Sequence, residues 1–125
     1  MSTLRVTTLA TQAGVEVYTA KAWVNFDGTG TVAIRASGNV SSITDNGTGD
    51  YTVNFTVAMV DANYSIVGSI NPLYAANNSS FNINTVGTAG GVTESAPTTS
   101  SFRFMTTSPG PTALDPKYVN VAVFR

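Results

Sequence analysis

The sequence predicts an all-β fold, a single antiparallel domain that is a β-sandwich or jelly-roll-like. Short segments in which apolar and polar residues alternate recur along the chain, and turns rich in Asp, Asn and Gly separate them. Nowhere do ten or more residues combine a 3.6-residue apolar period with good helix formers. Because 125 residues suffice for one core, we expect an N-terminal arm over residues 1–19 and one sandwich domain over residues 20–125.

The first predicted hairpin begins with a strand over residues 21–26. Ala22, Val24 and Phe26 occupy its inward face, and Trp23 lies on the opposite face. The sequence Asp-Gly-Thr-Gly that follows favours a tight turn, since Asp and Gly adopt turn conformations readily. The chain is expected to return over residues 31–35 with Val32 and Ile34 pointing inward.

The most regular alternation occurs over residues 51–57, where Tyr51, Val53, Phe55 and Val57 share one face. This pattern is typical of a strand that is half buried in an antiparallel sheet. The residues before it, 45–50, are predicted to form a turn-rich loop. Further strands are predicted over residues 4–9, 39–44, 64–70, 81–86, 102–106 and 118–124.

The last predicted strand and one loop stand out among these elements. Residues 118–124 are largely apolar on both faces, which indicates a central strand or a strand at an oligomer interface. Residues 87–99 are rich in Gly, Thr and Ser and are expected to form a long exposed loop, with Gly90 and Gly91 as its most flexible point.

The composition disfavours catalysis and metal binding. The chain contains neither Cys nor His, so it has no disulfide, no thiolate ligand and no imidazole base. Four of its seven acidic residues lie in predicted turns, where Asp bonds to nearby backbone. We therefore expect no catalytic residue, no cofactor and no metal, and a carbohydrate-active enzyme is the least favoured function.

Charge and hydropathy limit the partners. Only 10% of residues are charged, the net charge is −1, and the six basic residues are scattered, so we expect no nucleic-acid partner. No segment is long and apolar enough to span a bilayer, and the N-terminus lacks the apolar core of a signal peptide, so synthesis in a cytoplasm is expected. A neutral, hydroxyl-rich surface favours a packed homo-oligomer. A monomer with a polar coat is the alternative.

Five residues are candidates for contacts with other molecules. Trp23 lies opposite the predicted core face, where an aromatic ring suits a second protein layer or, as an alternative, a saccharide. Tyr74 lies in a predicted loop and is a candidate for an exposed contact or for packing on its own domain. The remaining candidates are Tyr118 in the last strand and Gly90 and Gly91 in the long loop.

Two stretches of sequence carry a resemblance to a known family. Residues 20–30 and 34–55, with their Ala-Trp-Val-Asn-Phe-Asp-Gly-Thr-Gly and Asn-Gly-Thr-Gly-Asp-Tyr-Thr-Val-Asn-Phe segments, resemble a module of tail-fibre-type virion proteins from marine and freshwater, cyanophage-like bacteriophages. The opening residues 2–9 are similar to the leader of such fibres, and residues 118–124 suit the terminal strand.

This resemblance implies a non-enzymatic virion protein that is assembled in the host cytoplasm. It implies a homotrimer that contacts other virion proteins and whose distal loops contact a host-surface glycan or protein. The chain is nearly all module, without the shaft of a typical fibre. The alternative function is therefore a capsid decoration protein, a cement protein or head knob that binds the major capsid protein.

Overall fold

The structure, a computed structural model, contains ten β-strands and no helix in the part of the chain that it describes. The described residues are 3, 8, 10–15, 17–71, 80–83, 85–86, 93–108 and 112–125. The strands are β1 (Ala22–Asp27), β2 (Ala33–Gly38), β3 (Val40–Gly47), β4 (Asp50–Phe55), β5 (Ser65–Asn71), β6 (Ser80–Ile83), β7 (Thr85–Val86), β8 (Thr93–Glu94), β9 (Ser101–Thr107) and β10 (Tyr118–Phe124).

Eight strands form two antiparallel sheets of four strands each. Sheet I has the strand order β2-β1-β10-β5, and sheet II has the order β3-β4-β9-β6. Strands β7 and β8 form a separate antiparallel pair. The chain makes one hairpin in each sheet, then places β5 and β6 at the sheet edges, and finally inserts β9 and β10 at the centres.

The inner faces of the two sheets pack against each other and form one core. Phe26 of sheet I meets Tyr51 of sheet II edge-on, with ring centroids 5.3 Å apart. Phe104 lies 6.3 Å from Phe26 and stacks on Phe81 at 4.5 Å. These contacts confirm the predicted all-β, sandwich-like architecture. The buried apolar residues are Ala22, Val24, Phe26, Val40, Tyr51, Val53, Phe55, Met59, Tyr64, Phe102, Phe104, Met105, Val119, Val121 and Val123.

The alternation of β1 is confirmed. Ala22, Val24 and Phe26 are buried, and Trp23 faces away from the core. Strand β10 is central, between β1 and β5, and only its odd-numbered valines are buried. The apolar residues on its other face therefore remain at the surface.

Two residues that the sequence places inward are exposed. Val57 continues the alternation of β4, but that strand ends at Phe55 and the side chain of Val57 is exposed. The cause is Asn39, whose backbone carbonyl and side-chain oxygen accept the N–H groups of Thr56 and Val57 and so draw the chain out of the sheet. Ile34 lies opposite Phe26 but is exposed because β2 is an edge strand.

Strand boundaries differ from the predictions in four further places. The predicted return strand over residues 31–35 starts later, and a bulge opposite Asn25 and Phe26 shifts its register. The predicted loop over 45–50 is mostly strand, because β3 runs to Gly47 and leaves only Thr48 and Gly49 as the turn.

In the second half of the chain, the predicted strand over 81–86 is divided between β6 and β7. The predicted loop over 87–99 contains β8, which pairs with β7. The predicted strand over residues 4–9 lies almost entirely outside the described residues.

Candidate functional site

The outer face of sheet I carries a row of apolar side chains that crosses the sheet. Trp23 on β1 pairs with Ala122 on β10, which pairs with Val67 on β5. Trp23 is 44% exposed and Val67 is 54% exposed. We call Trp23, Ala122 and Val67 the apolar row. On each of the three strands, the residues next to Trp23, Ala122 or Val67 point into the core. Because side chains alternate between the two faces of a strand, these three residues point outward.

A shallow depression lies along the apolar row. It has a volume of about 460 Å³, and the small side chain of Ala122 lies between the larger Trp23 and Val67. Next to the apolar row, Asn25 on β1 pairs with Asn120 on β10, which pairs with Ser69 on β5. We call Asn25, Asn120 and Ser69 the polar row. The site thus joins an aromatic and aliphatic surface to a set of amide and hydroxyl groups.

The polar row is held in place by side-chain hydrogen bonds. Asn25 Nδ2 donates to Asn120 Oδ1 at 2.7 Å. Arg35 donates through one NH group to Asn25 Oδ1 at 3.1 Å and through the other to the carbonyl of Lys117 at 2.6 Å. These hydrogen bonds fix the orientations of the side-chain amides of Asn25 and Asn120.

Tyr118, a second predicted contact residue, lies on the same outer face. The Arg35 guanidinium lies 4.3 Å from the centre of its ring, a cation–π contact. The same guanidinium lies 3.3 Å from Asp27 Oδ2, so the positive charge has a counter-ion. The hydrogen bond from the Thr29 hydroxyl, aided by its backbone N–H and by Arg35, lowers the pKa of Asp27. The charge of Arg35 at this end of the face is thus paired with a carboxylate.

The outer face of sheet II is different in kind. Asn54 Nδ2 donates to Ser42 Oγ at 3.1 Å and to Thr44 Oγ1 at 2.9 Å. Arg103 makes a two-pronged ion pair with Asp50, with N–O distances of 2.7 and 2.6 Å. This face suits water, whereas the outer face of sheet I exposes large apolar groups.

Two carboxylates, those of Asp61 and Asp115, connect separate segments of the chain. Asp61 accepts two hydrogen bonds from Arg125, at 2.8 and 2.6 Å, and this contact lowers its pKa. Asp115 accepts from the Tyr51 hydroxyl and from the Gly49 N–H, both at 2.7 Å. Among the described residues, no three acidic groups lie close enough together to hold a metal ion. Across the same residues, no helix has the length and apolar character needed to cross a membrane.

The structure brings together two of the five predicted contact residues, Trp23 and Tyr118, on one sheet face. Tyr74, Gly90 and Gly91 lie outside the described residues. The sequence reasoning did not single out Val67 and Ala122, which complete the apolar row. Their strands alternate as expected, but only the pairing of β5 with β10 places them beside Trp23.

Comparison of the chain with family models, with curated proteins and with solved structures gives no match.

Proposed function

We propose that this chain is a non-enzymatic structural module of a bacteriophage virion, of the tail-fibre type, that works as a homotrimer. The observation that carries the proposal is the apolar row on the outer face of sheet I. An exposed Trp and an exposed Val on neighbouring positions of one apolar row, without a charged residue in that row, are typical of a surface that another protein covers.

The low charge of the chain supports self-association. With a net charge of −1, copies of the chain repel each other little when their surfaces meet. The polar outer face of sheet II then remains in water, and sheet I supplies the contact. A protein with two chemically different faces is suited to one buried side and one solvated side.

The state of the carboxylates supports a structural role over hydrolysis of a glycan. A glycosidase needs two carboxyl groups that face each other across an open cleft. Here Asp27, Asp50, Asp61 and Asp115 are engaged by neighbouring hydroxyl, guanidinium or backbone groups. The bonds of Asp50, Asp61 and Asp115 connect separate segments of the sandwich, and the Thr29 hydroxyl holds Asp27 within its own turn.

The proposal extends to the jelly-roll topology. Both sheets have four strands, and the chain passes between the sheets after β2, β4, β5 and β9. Repeated passage between two antiparallel sheets is the pattern of that fold.

The test is quantitative mass spectrometry and antibody labelling of virus particles purified from cultures that produce this chain. Copies at the tail, in a number from a few to a few tens for each particle, are expected. Hundreds of copies on the head would replace the tail-fibre function with capsid decoration. Absence from the particles would overturn the proposal.

Host contact by the candidate loop residues is tested separately. Particles that carry Tyr74→Ala are expected to adsorb to host cells less well, with unchanged assembly. Unchanged adsorption would remove Tyr74 from the host-contact surface and would leave the virion role in place.

A further inference from the structure

The N-terminal arm exposes a second set of apolar side chains. Val15 is 62% exposed and Tyr18 is 80% exposed. The arm nevertheless has local order, because Thr11 N–H donates to the carbonyl of Val15 at 2.8 Å and Gly14 N–H donates to the carbonyl of Thr11 at 2.9 Å. The arm therefore presents Val15 at the end of a short ordered turn and Tyr18 just after that turn, and its own domain buries neither.

The apolar row and the arm are thus two exposed apolar surfaces within the described part of the chain. They lie near the same end of the sandwich, since the arm leads into β1 and Trp23 is the second residue of that strand. Neither surface covers the other within one chain, as the exposure of Trp23 and Tyr18 shows. Burial of both surfaces in one contact removes apolar area from water on both sides.

Charge and polarity match across this contact. The apolar row contains no charged residue, and residues 10–20 contain a single one, Glu16. A Tyr ring supplies a large apolar area together with a hydroxyl that needs a hydrogen-bonding partner when it is buried. The Asn25 and Asn120 amides beside the depression supply such partners.

We propose that the arm of a second copy of this chain lies in the depression on the outer face of sheet I. Tyr18 of one copy rests between Trp23 and Val67 of its neighbour, with its hydroxyl directed at the polar row. This inference rests on the proposed function only in taking the chain to work as an oligomer of identical copies.

The geometry of the arm permits this contact. Tyr18 lies four residues before Ala22, the first residue of β1, so it can reach up to about 14 Å from the start of its own strand, nearly the width of four neighbouring strands, about 15 Å. Tyr18 can therefore contact the outer face of sheet I in a neighbouring copy that packs beside this end of the sandwich. A contact between two different surfaces of one chain closes into a ring when the rotation between copies is suitable, and a homotrimer is one such ring.

Cysteine crosslinking tests the proposal directly, because the chain contains no Cys of its own. The two single variants Tyr18→Cys and Val67→Cys are mixed, allowed to exchange subunits and treated with a short bismaleimide crosslinker. A mixed crosslinked dimer that contains one chain of each variant is expected. The matched control pairs Tyr18→Cys with Thr44→Cys, an exposed position on the outer face of sheet II, and should give at least tenfold less mixed dimer.

Several outcomes overturn the proposal. One is the absence of mixed dimer above the control level. Another is a crosslink that forms only within one chain that carries both Tyr18→Cys and Val67→Cys, because the arm then covers its own sheet. Mixed dimers of equal yield with both partners would show non-specific contact and would also reject it.

The fluorescence of Trp23 gives a second readout, because this is the only Trp in the chain. On dilution, the emission of the wild-type protein is expected to shift to longer wavelength as the arm dissociates from the outer face of sheet I of its neighbour. Tyr18→Ala should show the long-wavelength emission at every concentration. These solution measurements do not depend on the place of the protein in the virion, so their failure and the failure of the proposed function are distinguishable.

Discussion

The Tyr51 hydroxyl donates a hydrogen bond to Oδ1 of Asp115 at 2.7 Å and thereby joins the core of sheet II to the segment that leads into β10. The same oxygen accepts the N–H of Gly49, and the Tyr51 hydroxyl also lies 3.2 Å from the carbonyl of Gly28. The turns after β1 and β3 are therefore fixed to the chain before the last strand. One buried phenol organises this end of the sandwich.

Replacement of Tyr51 by Phe is expected to lower the free energy of unfolding by about 1–2 kcal/mol, since Asp115 and Gly28 then lose a donor in a partly buried place. Denaturant unfolding measures the change. Tyr118→Phe is the control, since Tyr118 is at the surface and its ring, rather than its hydroxyl, meets Arg35. A loss of equal size in the control would show that the hydrogen bond of Tyr51 stabilises the fold no more than a surface hydroxyl does.

Stability is expected to fall at alkaline pH. Burial, reinforced by the bond to Asp115, raises the pKa of Tyr51 far above its usual value, and burial raises the pKa of Tyr64 to about 12. Above a pH of about 10, the unfolded chain releases phenolic protons that the folded chain retains, so the stabilisation is complete below that pH and is lost as pH rises.

The free energy of unfolding falls by up to about 1.4 kcal/mol per pH unit for each such Tyr. Unfolding curves between pH 9 and 12 measure it. Tyr51→Phe should reduce the slope by about half, because only Tyr64 then contributes. An unchanged slope in that variant would contradict the assignment to Tyr51.

Asn39 connects β2 and β3 with a backbone φ of 54°, in the left-handed region that Asn tolerates better than most residues. Its Nδ2 donates to the carbonyls of Lys21 and Val57, each at 3.1 Å, and its Oδ1 accepts the Val57 N–H at 2.7 Å. Asn39→Ala loses these bonds and strains the backbone, so a loss of about 2–3 kcal/mol is expected.

Asn39→Gly is the matched comparison, because it removes the same bonds and relieves the backbone. Its loss in thermal or denaturant unfolding should be about 1 kcal/mol smaller than that of the Ala variant. If both variants lose the same amount, the backbone conformation of Asn39 contributes nothing.

Much of this fold is predictable from local pattern. The alternation of β1 identifies Trp23 as an outward residue, because neighbouring side chains of a strand point to opposite faces. The assembly of the apolar row is not predictable in this way, since Val67 and Ala122 meet only through the register of β5 with β10. That register depends on contacts between residues far apart in sequence. The departure of Val57 from the sheet likewise depends on Asn39, 18 residues away.

Gly68 lies on the inner face of β5, where Phe81 of sheet II packs against it. A Cβ atom at this position would lie 2.6 Å from Phe81 Cζ, and Phe81 is itself stacked on Phe104. Gly68→Ala is therefore expected to lower stability by about 1–3 kcal/mol through overpacking. Ser65→Ala, at an exposed position on the opposite face of the same strand, should have a smaller effect in the same unfolding experiment. The reverse order would show that the ring of Phe81 moves aside freely.

Gly38 supports the indole of Trp23, because a Cβ atom there would overlap Trp23 Nε1 and Cδ1. Gly38→Ala is expected to tilt the indole out of the apolar row and to weaken self-association about tenfold or more. Sedimentation and the fluorescence of Trp23 measure this effect. Stability should change by less than about 1 kcal/mol, because the indole is at the surface and can rotate away.

Ala36→Ser is the control for this substitution. Ala36 lies on the same strand and is exposed, and it pairs with Asn25 in the polar row rather than with Trp23. The change adds one atom, as Gly38→Ala does, but leaves the indole in place, so association should stay within about twofold of wild type, less than 0.5 kcal/mol. Equal association in wild type and Gly38→Ala, with a shifted Trp23 emission in the variant, would show that the orientation of the indole does not determine the contact between copies.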